Sequence, residues 1–315
     1  MIMKKFIDFF LSNIIIITVV SASVLALFFP SLGVYLEPFE LIVPLIIIVF
    51  FCQGTGIKKN ELPARSNYLK VLLIAFFISQ VLAPVLAYAC SRLLNWEGDS
   101  LVGFMLICCM APTLVSGTII AGQAGGDRTV SLLVTIGINI VAVFSIPFNL
   151  SWSLGAEVHV AVLPLLKKLL IMVLIPAIIG YLYSKKRQDF IARKKAWFKY
   201  IPISCLFVVI YISMSQQQEA FKELTGQMIL DYSLASITVH LILLYIAYYL
   251  CMICKTGVEA ARSVAICSSQ KTIPITVAIW TSTFPQYALA LLPGMIFHLC
   301  QIYCDGLIAK KWSRK

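Results

Sequence analysis

The sequence predicts an all-α polytopic membrane protein of ten transmembrane helices, in two inverted five-helix repeats, with spans 4 and 9 interrupted. Three observations predict it. Of 315 residues, 60% are hydrophobic and 12% charged, and the mean hydropathy is +0.93. A soluble domain carries about 45–50% apolar and roughly 25% charged residues. The apolar residues gather in continuous runs of about 20, the length that crosses a bilayer core as a helix. Each half of the chain also contains one run broken by proline among hydroxyl side chains. This pattern excludes a soluble domain, a disordered chain and a DNA-binding protein. It also argues against a transmembrane β-barrel, because Asn13–Val20 and Leu41–Phe51 run apolar without alternation.

Read against charged and turn-forming breaks, the apolar runs are Phe6–Phe29, Phe39–Gly56, Tyr68–Leu93, Leu101–Gly122 and Thr129–Trp152, then Val160–Tyr183, Tyr200–Met214, Ile229–Cys254, Glu259–Phe284 and Tyr287–Ile308. The first, with Lys4 and Lys5 before it and Ser21 to Ser23 inside it, has the look of a signal peptide. Its apolar stretch is long for that role, and it reads as span 1. The net charge of +11 is topological. With the N-terminus inside, 20 of the 25 Lys and Arg fall on that side. Four, Arg92, Lys167, Lys168 and Lys222, fall outside, and Lys271 lies within a span. The positive-inside rule then puts both termini in the cytoplasm of a cell (inner) membrane. The partner of the basic face is the lipid bilayer, not nucleic acid. The ten cysteines lie mostly inside apolar runs, where a thiol acts as a small hydrophobe. Cys251 and Cys254 have metal-pair spacing, but no histidine or second pair stands beside them, so no transition metal is expected.

Ten spans divide into 1–157 and 158–315. Five is odd, so the second repeat must be upside down, an arrangement of transporters with a site near the midplane where discontinuous helices meet. The interruptions match. Span 4 contains Ala111 to Thr118 around Pro112, followed by Gly122, Gly125 and Gly126; span 9 contains Ser268 to Pro274. In each, proline removes a backbone donor and polar side chains nearby can replace it.

The stretch Pro112 to Thr135, with Gly117 to Asp127 in unbroken spacing, resembles the bile acid:sodium symporter superfamily. The nearer resemblance is to its bacterial "sodium/bile acid symporter-like" branch, related to the human seventh member. Ile266 to Thr272 is similar to that branch's span 9 crossover, and Phe297, His298 and Gln301 to its span 10 pattern. The resemblance implies a core of spans 3–5 and 8–10 with spans 4 and 9 crossing, a panel of spans 1, 2, 6 and 7, and an anionic substrate bound between the two. It also implies sodium ligands: the hydroxyls of Ser131 and Thr135, the amides of Gln80 and Gln270, Thr118, and the carbonyls of Ile266, Cys267 and Ser269. This chain departs from the pattern at three places. The family's Ser-Asn pair is Gly117-Thr118, its span 9 glutamate is Ile266, and the asparagine after the glutamine is Lys271.

Lys271 is the sharpest residue. A cation at mid-membrane costs about 2.5–3.5 kcal/mol on insertion scales, so it is paired, wet or functional. With glutamate lost and Lys271 protonated, the site carries +1 without sodium, the same as a family site with one glutamate and two sodium ions. His240 and His298 sit about eleven residues into their spans, and histidine titrates near physiological pH. Both could instead be hydrogen-bonded core residues. Gln301 completes the substrate and coupling set of Lys271, His298, Thr118 and His240. Asp231 and Asp305 read as interfacial.

The function expected is secondary active transport of a small organic anion by alternating access, coupled to Na+ or H+, with no cofactor and no catalytic residues. Two half-helix N-termini of roughly +0.5 charge each, together with Lys271, favour an anion. The alternative is proton-coupled transport or exchange using Lys271 and His298. A membrane-embedded enzyme would need a metal cluster or a nucleophile dyad at one depth, and none is present; a channel is the remaining class. No motif specifies an oligomeric state.

Overall fold

The computed structural model describes residues 14–56, 68–113, 116–155, 158, 160–216 and 222–313, and every regular element among them is helical. In chain order the helices are α1 (Ile14–Phe28), α2 (Ser31–Leu36), α3 (Ile42–Thr55), α4 (Tyr68–Leu93), α5 (Gly98–Cys108), α6 (Ser116–Gln123) and α7 (Arg128–Leu154), then α8 (Val162–Lys186), α9 (Gln188–Arg193), α10 (Lys195–Ser215), α11 (Gly226–Ile253), α12 (Val258–Ser269), α13 (Ile273–Thr283) and α14 (Leu291–Trp312). Six of them, α4, α7, α8, α10, α11 and α14, are long and apolar enough to cross a membrane. Helices α1 and α2 form a pair bent by 99° that makes a seventh if counted as one span, and α3 and α5 are shorter apolar helices. The chain is a multi-pass membrane protein. The residues before Ile14, within the expected span 1, lie outside the described ones.

The described residues fall into two compact units. One draws on Met1–Ile57 and Ile171–Glu223, the other on Lys58–Leu170 and Leu224–Lys315. In the first, α10 packs against α1, α2 and α3, and α3 packs against α8. The sequence suggests a loop between spans 1 and 2, but the chain folds there into α2 and a 3-10 turn, Glu37–Phe39. The reason is packing. Gly33 sits so close to α10 that a Cβ would lie 2.2 Å from Ser215 Oγ, and Tyr211 Oη donates to Phe29 O at 2.5 Å. Glycines also let α3 and α8 touch backbone to backbone, at Gly54 against Ala177 and Gly180 against Phe51.

The second unit holds α4 to α7, α11 to α14 and the start of α8. Its long α7 starts at Asp127, whose Oδ1 accepts Thr129 N at 2.7 Å and Val130 N at 3.2 Å. That cap satisfies two donors the first turn would otherwise leave orphaned. Asp127→Ala is expected to cost about 1 kcal/mol, read as a lowered thermal midpoint of the purified protein.

Both expected interruptions are present. Residues 109–113, which follow α5, are not helical, and Gln270 to Thr272 separate α12 from α13. Pro274 lies in the first turn of α13, where its missing N–H costs nothing. A third irregularity, a π turn at Phe77–Leu82 within α4, has no counterpart among the sequence-based expectations. Its cause is Pro84. Proline removes the donor that would meet Gln80 O, and that carbonyl accepts Asn149 Nδ2 at 2.8 Å.

Candidate functional site

The π turn prepares the first half of the site. Ala83 N–H bonds back to Ile78 O, five residues earlier. The carbonyl of Ser79 has therefore lost its usual partner, Ala83, and the next residue, Pro84, has no N–H to offer. A buried carbonyl must find a donor. The donor is Lys271.

Lys271 is completely buried, in the break between α12 and α13. Its Nζ donates to Ser79 O at 2.7 Å, Ser79 Oγ at 3.1 Å and Met110 O at 3.1 Å. Three acceptors thus meet three ammonium protons. None of the three is a carboxylate. Met110 stands at the other interruption, so each helix break contributes to one cation cage. Thr272 N donates to Ala111 O at 3.0 Å, joining the two breaks through the backbone. On its far side the extended segment is held by Gln301, which accepts Lys271 N at 2.8 Å and donates to Lys271 O at 2.9 Å. His298 Nδ1 lies 3.2 Å from the same carbonyl and 2.7 Å from Gln301 Nε2. Its Nε2 is buried without a hydrogen-bond partner among the described residues. Gln80 lies beside the cage, its Nε2 toward Ser79 Oγ at 3.0 Å and Met110 O at 3.4 Å, and its Oε1 accepts Ser145 Oγ at 2.7 Å.

A second cluster forms around Gln270. Its Oε1 accepts the Thr113 hydroxyl and lies 3.4 Å from Ser116 Oγ. Its Nε2 donates to Asp305 Oδ2 at 2.6 Å, and His240 Nε2 lies 2.8 Å from Asp305 Oδ1. His240, Gln270 and Asp305 are all completely buried. His240 Nδ1 faces Ser269 O at 3.4 Å, while Ser269 Oγ turns back to Ala265 O at 2.8 Å. The Ile266 carbonyl accepts Gln270 N at 3.3 Å. Ser131 and Thr135 are buried on α7, and their hydroxyl protons go to Asp127 O and Ser131 O, both at 2.9 Å. Hydroxyls that have given their protons to the helix keep lone pairs for another partner. Cys267 is buried on α12, and Thr118 is half-buried on the first turn of α6. Cys251 and Cys254 are free thiols.

One expectation needs correcting. Asp305 reads as interfacial in the sequence, yet it is fully buried and bonded through both oxygens. The cause is packing: His240 on α11 and Gln270 in the break after α12 cover this face of α14, which continues past the expected end at Ile308 to Trp312. A signal was available: His298, Gln301 and Asp305 fall at i, i+3 and i+7, one face of a helix. Asp231 is half-buried and accepts Gln227 Nε2 at 2.8 Å. Thr113, Ser116 and Ser79 were also missed as site residues. Thr113 and Ser116 lie within the recognised interruption, but Ser79 depends on the π turn.

Known proteins are similar to this chain along most of its length. The profile of the SBF-like CPA transporter family matches residues 13–314. A protein of Arabidopsis thaliana named as a probable chloroplastic sodium/metabolite cotransporter is 25% identical, over 99% of this chain and 75% of its own length. Sodium/bile acid cotransporter 7 of Xenopus tropicalis is 24% identical over 84% of this chain and 80% of its own. The Rattus norvegicus protein of the same name is 23% identical over 90% and 88%. The resemblance read from the span 4, 9 and 10 motifs is thereby supported over the full chain. The protein is a membrane transporter and not an enzyme. With its double helix break and its multi-pass helical architecture, the chain belongs to the SBF-like CPA transporter family.

Proposed function

We propose that this protein is a secondary symporter that carries a small organic anion by alternating access, driven by a monovalent cation. The observation that carries the reading is the Lys271 ammonium, buried in a cage of three oxygens supplied by Ser79 and Met110. Carbonyl and hydroxyl oxygens around a desolvated positive charge are what a hard cation's site provides, and Lys271 stands there as a cation built into the chain. The family's name and the relatives' names support symport. Ten spans in inverted repeats, 1–157 and 158–315, with spans 4 and 9 crossing, complete the proposed architecture. It sits in a cell membrane with both termini cytoplasmic.

Asp305 adds to the crossover a buried carboxylate that the resemblance does not supply, bonded to Gln270 and beside His240. The stoichiometry proposed is a single coupling sodium. Its ligands would come from the cluster at Gln270, with Ser131 and Thr135 on α7. Ser131→Ala combined with Thr135→Ala is expected to abolish sodium-dependent thermal stabilisation in detergent. Stabilisation that survives the double change would show that α7 takes no part in binding the ion.

The test of transport is uptake into proteoliposomes from a panel of organic acids, with sodium and pH gradients imposed separately. An inward sodium gradient should drive accumulation of at least one acid. Accumulation that follows only the pH gradient would replace sodium by the proton as the coupling ion. Equilibration that no cation gradient can drive uphill would overturn cation symport.

A further inference from the structure

We propose that Asp305 is the positioning anion of the coupling-cation site, a carboxylate that acts through Gln270 to aim an amide oxygen at Thr113 and Ser116 in the α5–α6 break. The proposal rests on the cation-coupled reading above and adds residues to it from three helices.

The hydrogen-bond directions require this arrangement. An ionised carboxylate can only accept, so the Gln270 atom that faces Asp305 Oδ2 at 2.6 Å must be the NH2 group. The amide is planar, and its oxygen therefore points the other way, to the Thr113 hydroxyl and to Ser116 Oγ at 3.4 Å. Thr113 in turn accepts Ser116 Oγ at 2.9 Å and Gly117 N at 3.1 Å. Every donor in the chain, from Ser116 through Thr113 and Gln270, runs toward the same carboxylate. His240 holds the second oxygen at 2.8 Å, so Asp305 cannot turn away from Gln270. A neutral amide at 305 could accept or donate, and both orientations of Gln270 would become available. Half of them would put an NH2 group where a cation needs an oxygen.

At its far end this chain carries the Gln270 amide oxygen and the Ser116 hydroxyl oxygen, hard ligands of the kind a small monovalent cation takes, while both lone pairs of Thr113 Oγ1 accept Ser116 Oγ and Gly117 N. Glycine keeps it tight: a Cβ at residue 117 would stand 3.0 Å from Gln270 Oε1 and 3.2 Å from Thr113 Oγ1. A completely buried carboxylate one side chain away adds attraction that water does not screen. His240, Asp305 and Thr113 are thus positioning residues, while Gln270 and Ser116 face the ion.

The experiment is thermal unfolding of the purified full chain in detergent, titrated with NaCl against choline chloride at constant ionic strength, without substrate. Asp305→Asn is expected to raise the half-saturating sodium concentration about tenfold or more. Its unfolding midpoint in choline should remain close to that of the wild type. Asp305→Glu, which restores the charge, should recover most of the sodium response. If Asp305→Asn yields no folded protein, Thr113→Val carries the same expectation, because it removes the hydroxyl that holds Gln270 Oε1 in place without disturbing a buried charge. A wild-type sodium midpoint in Asp305→Asn, or in Thr113→Val where that decides, overturns the proposal and leaves cation symport standing. No sodium response in the wild type overturns both this proposal and sodium as the coupling ion, and leaves the proton in its place.

Discussion

Lys271→Met is expected to abolish substrate-driven uptake while leaving the protein folded. Methionine matches the length and volume of the lysine stem, so the space between the two breaks stays filled. The change strands the acceptor Ser79 O, at about 1–3 kcal/mol for a buried unpaired group, and leaves Met110 O with only the long contact to Gln80 Nε2. It also removes the desolvation cost of a buried charge, which offsets much of that loss. The fold should therefore survive. Transport should not, because the ammonium ties the α4 π turn to both helix breaks through charged hydrogen bonds worth about 1.5–3 kcal/mol each. Loss of even about 3 kcal/mol from a transport-competent state reduces its population by roughly two orders of magnitude. The measurement is uptake in proteoliposomes under an inward sodium gradient, with size-exclusion chromatography as the folding control. Lys271→Asn with Ile266→Glu should raise the dependence on sodium, since it exchanges the built-in cation for an anion. Full sodium-driven uptake by Lys271→Met would reduce Lys271 to a packing residue.

The second large effect lies away from the chemistry. Gly54→Val is expected to destabilise the unit containing α3 and α8 by about 3 kcal/mol or more, the upper end of overpacking costs. A Cβ at Gly54 would lie 2.0 Å from Ala177 O and 2.7 Å from its carbonyl carbon, and one at Gly180 would lie 2.1 Å from Phe51 O. These atoms are backbone, which cannot rotate aside as a flexible side chain does. Helices in lipid associate through such close small-residue contacts, because hydrocarbon supplies no hydrophobic force between them. The yield of monodisperse protein and its thermal midpoint report the outcome. Gly122→Ala, where no described atom comes within 4 Å, is the control. A Gly54→Val protein as stable as the control would mean that α3 and α8 can separate without cost.

The helical, multi-pass character of the protein was legible in composition and in apolar runs, because burial in lipid is paid for residue by residue along the chain. The two interruptions were legible for a similar reason: Pro112 lies in one break and Pro274 opens the helix after the other, and polar side chains that can satisfy freed backbone groups lie beside them. Lys271 declared itself by its charge alone. What surrounds it did not, since Ser79 lies 192 residues away and its carbonyl is released only by the π turn before Pro84. Asp305 was misplaced on the same ground. Distance from a helix end suggests an interface, but whether a carboxylate is buried depends on which neighbours cover its face, and His240 and Gln270 come from α11 and from the break after α12. Local chain properties decide which segments become helices and where they break; the partners of a buried charge are decided only when distant segments pack, because a charge inside lipid must be satisfied by whatever the fold brings to it.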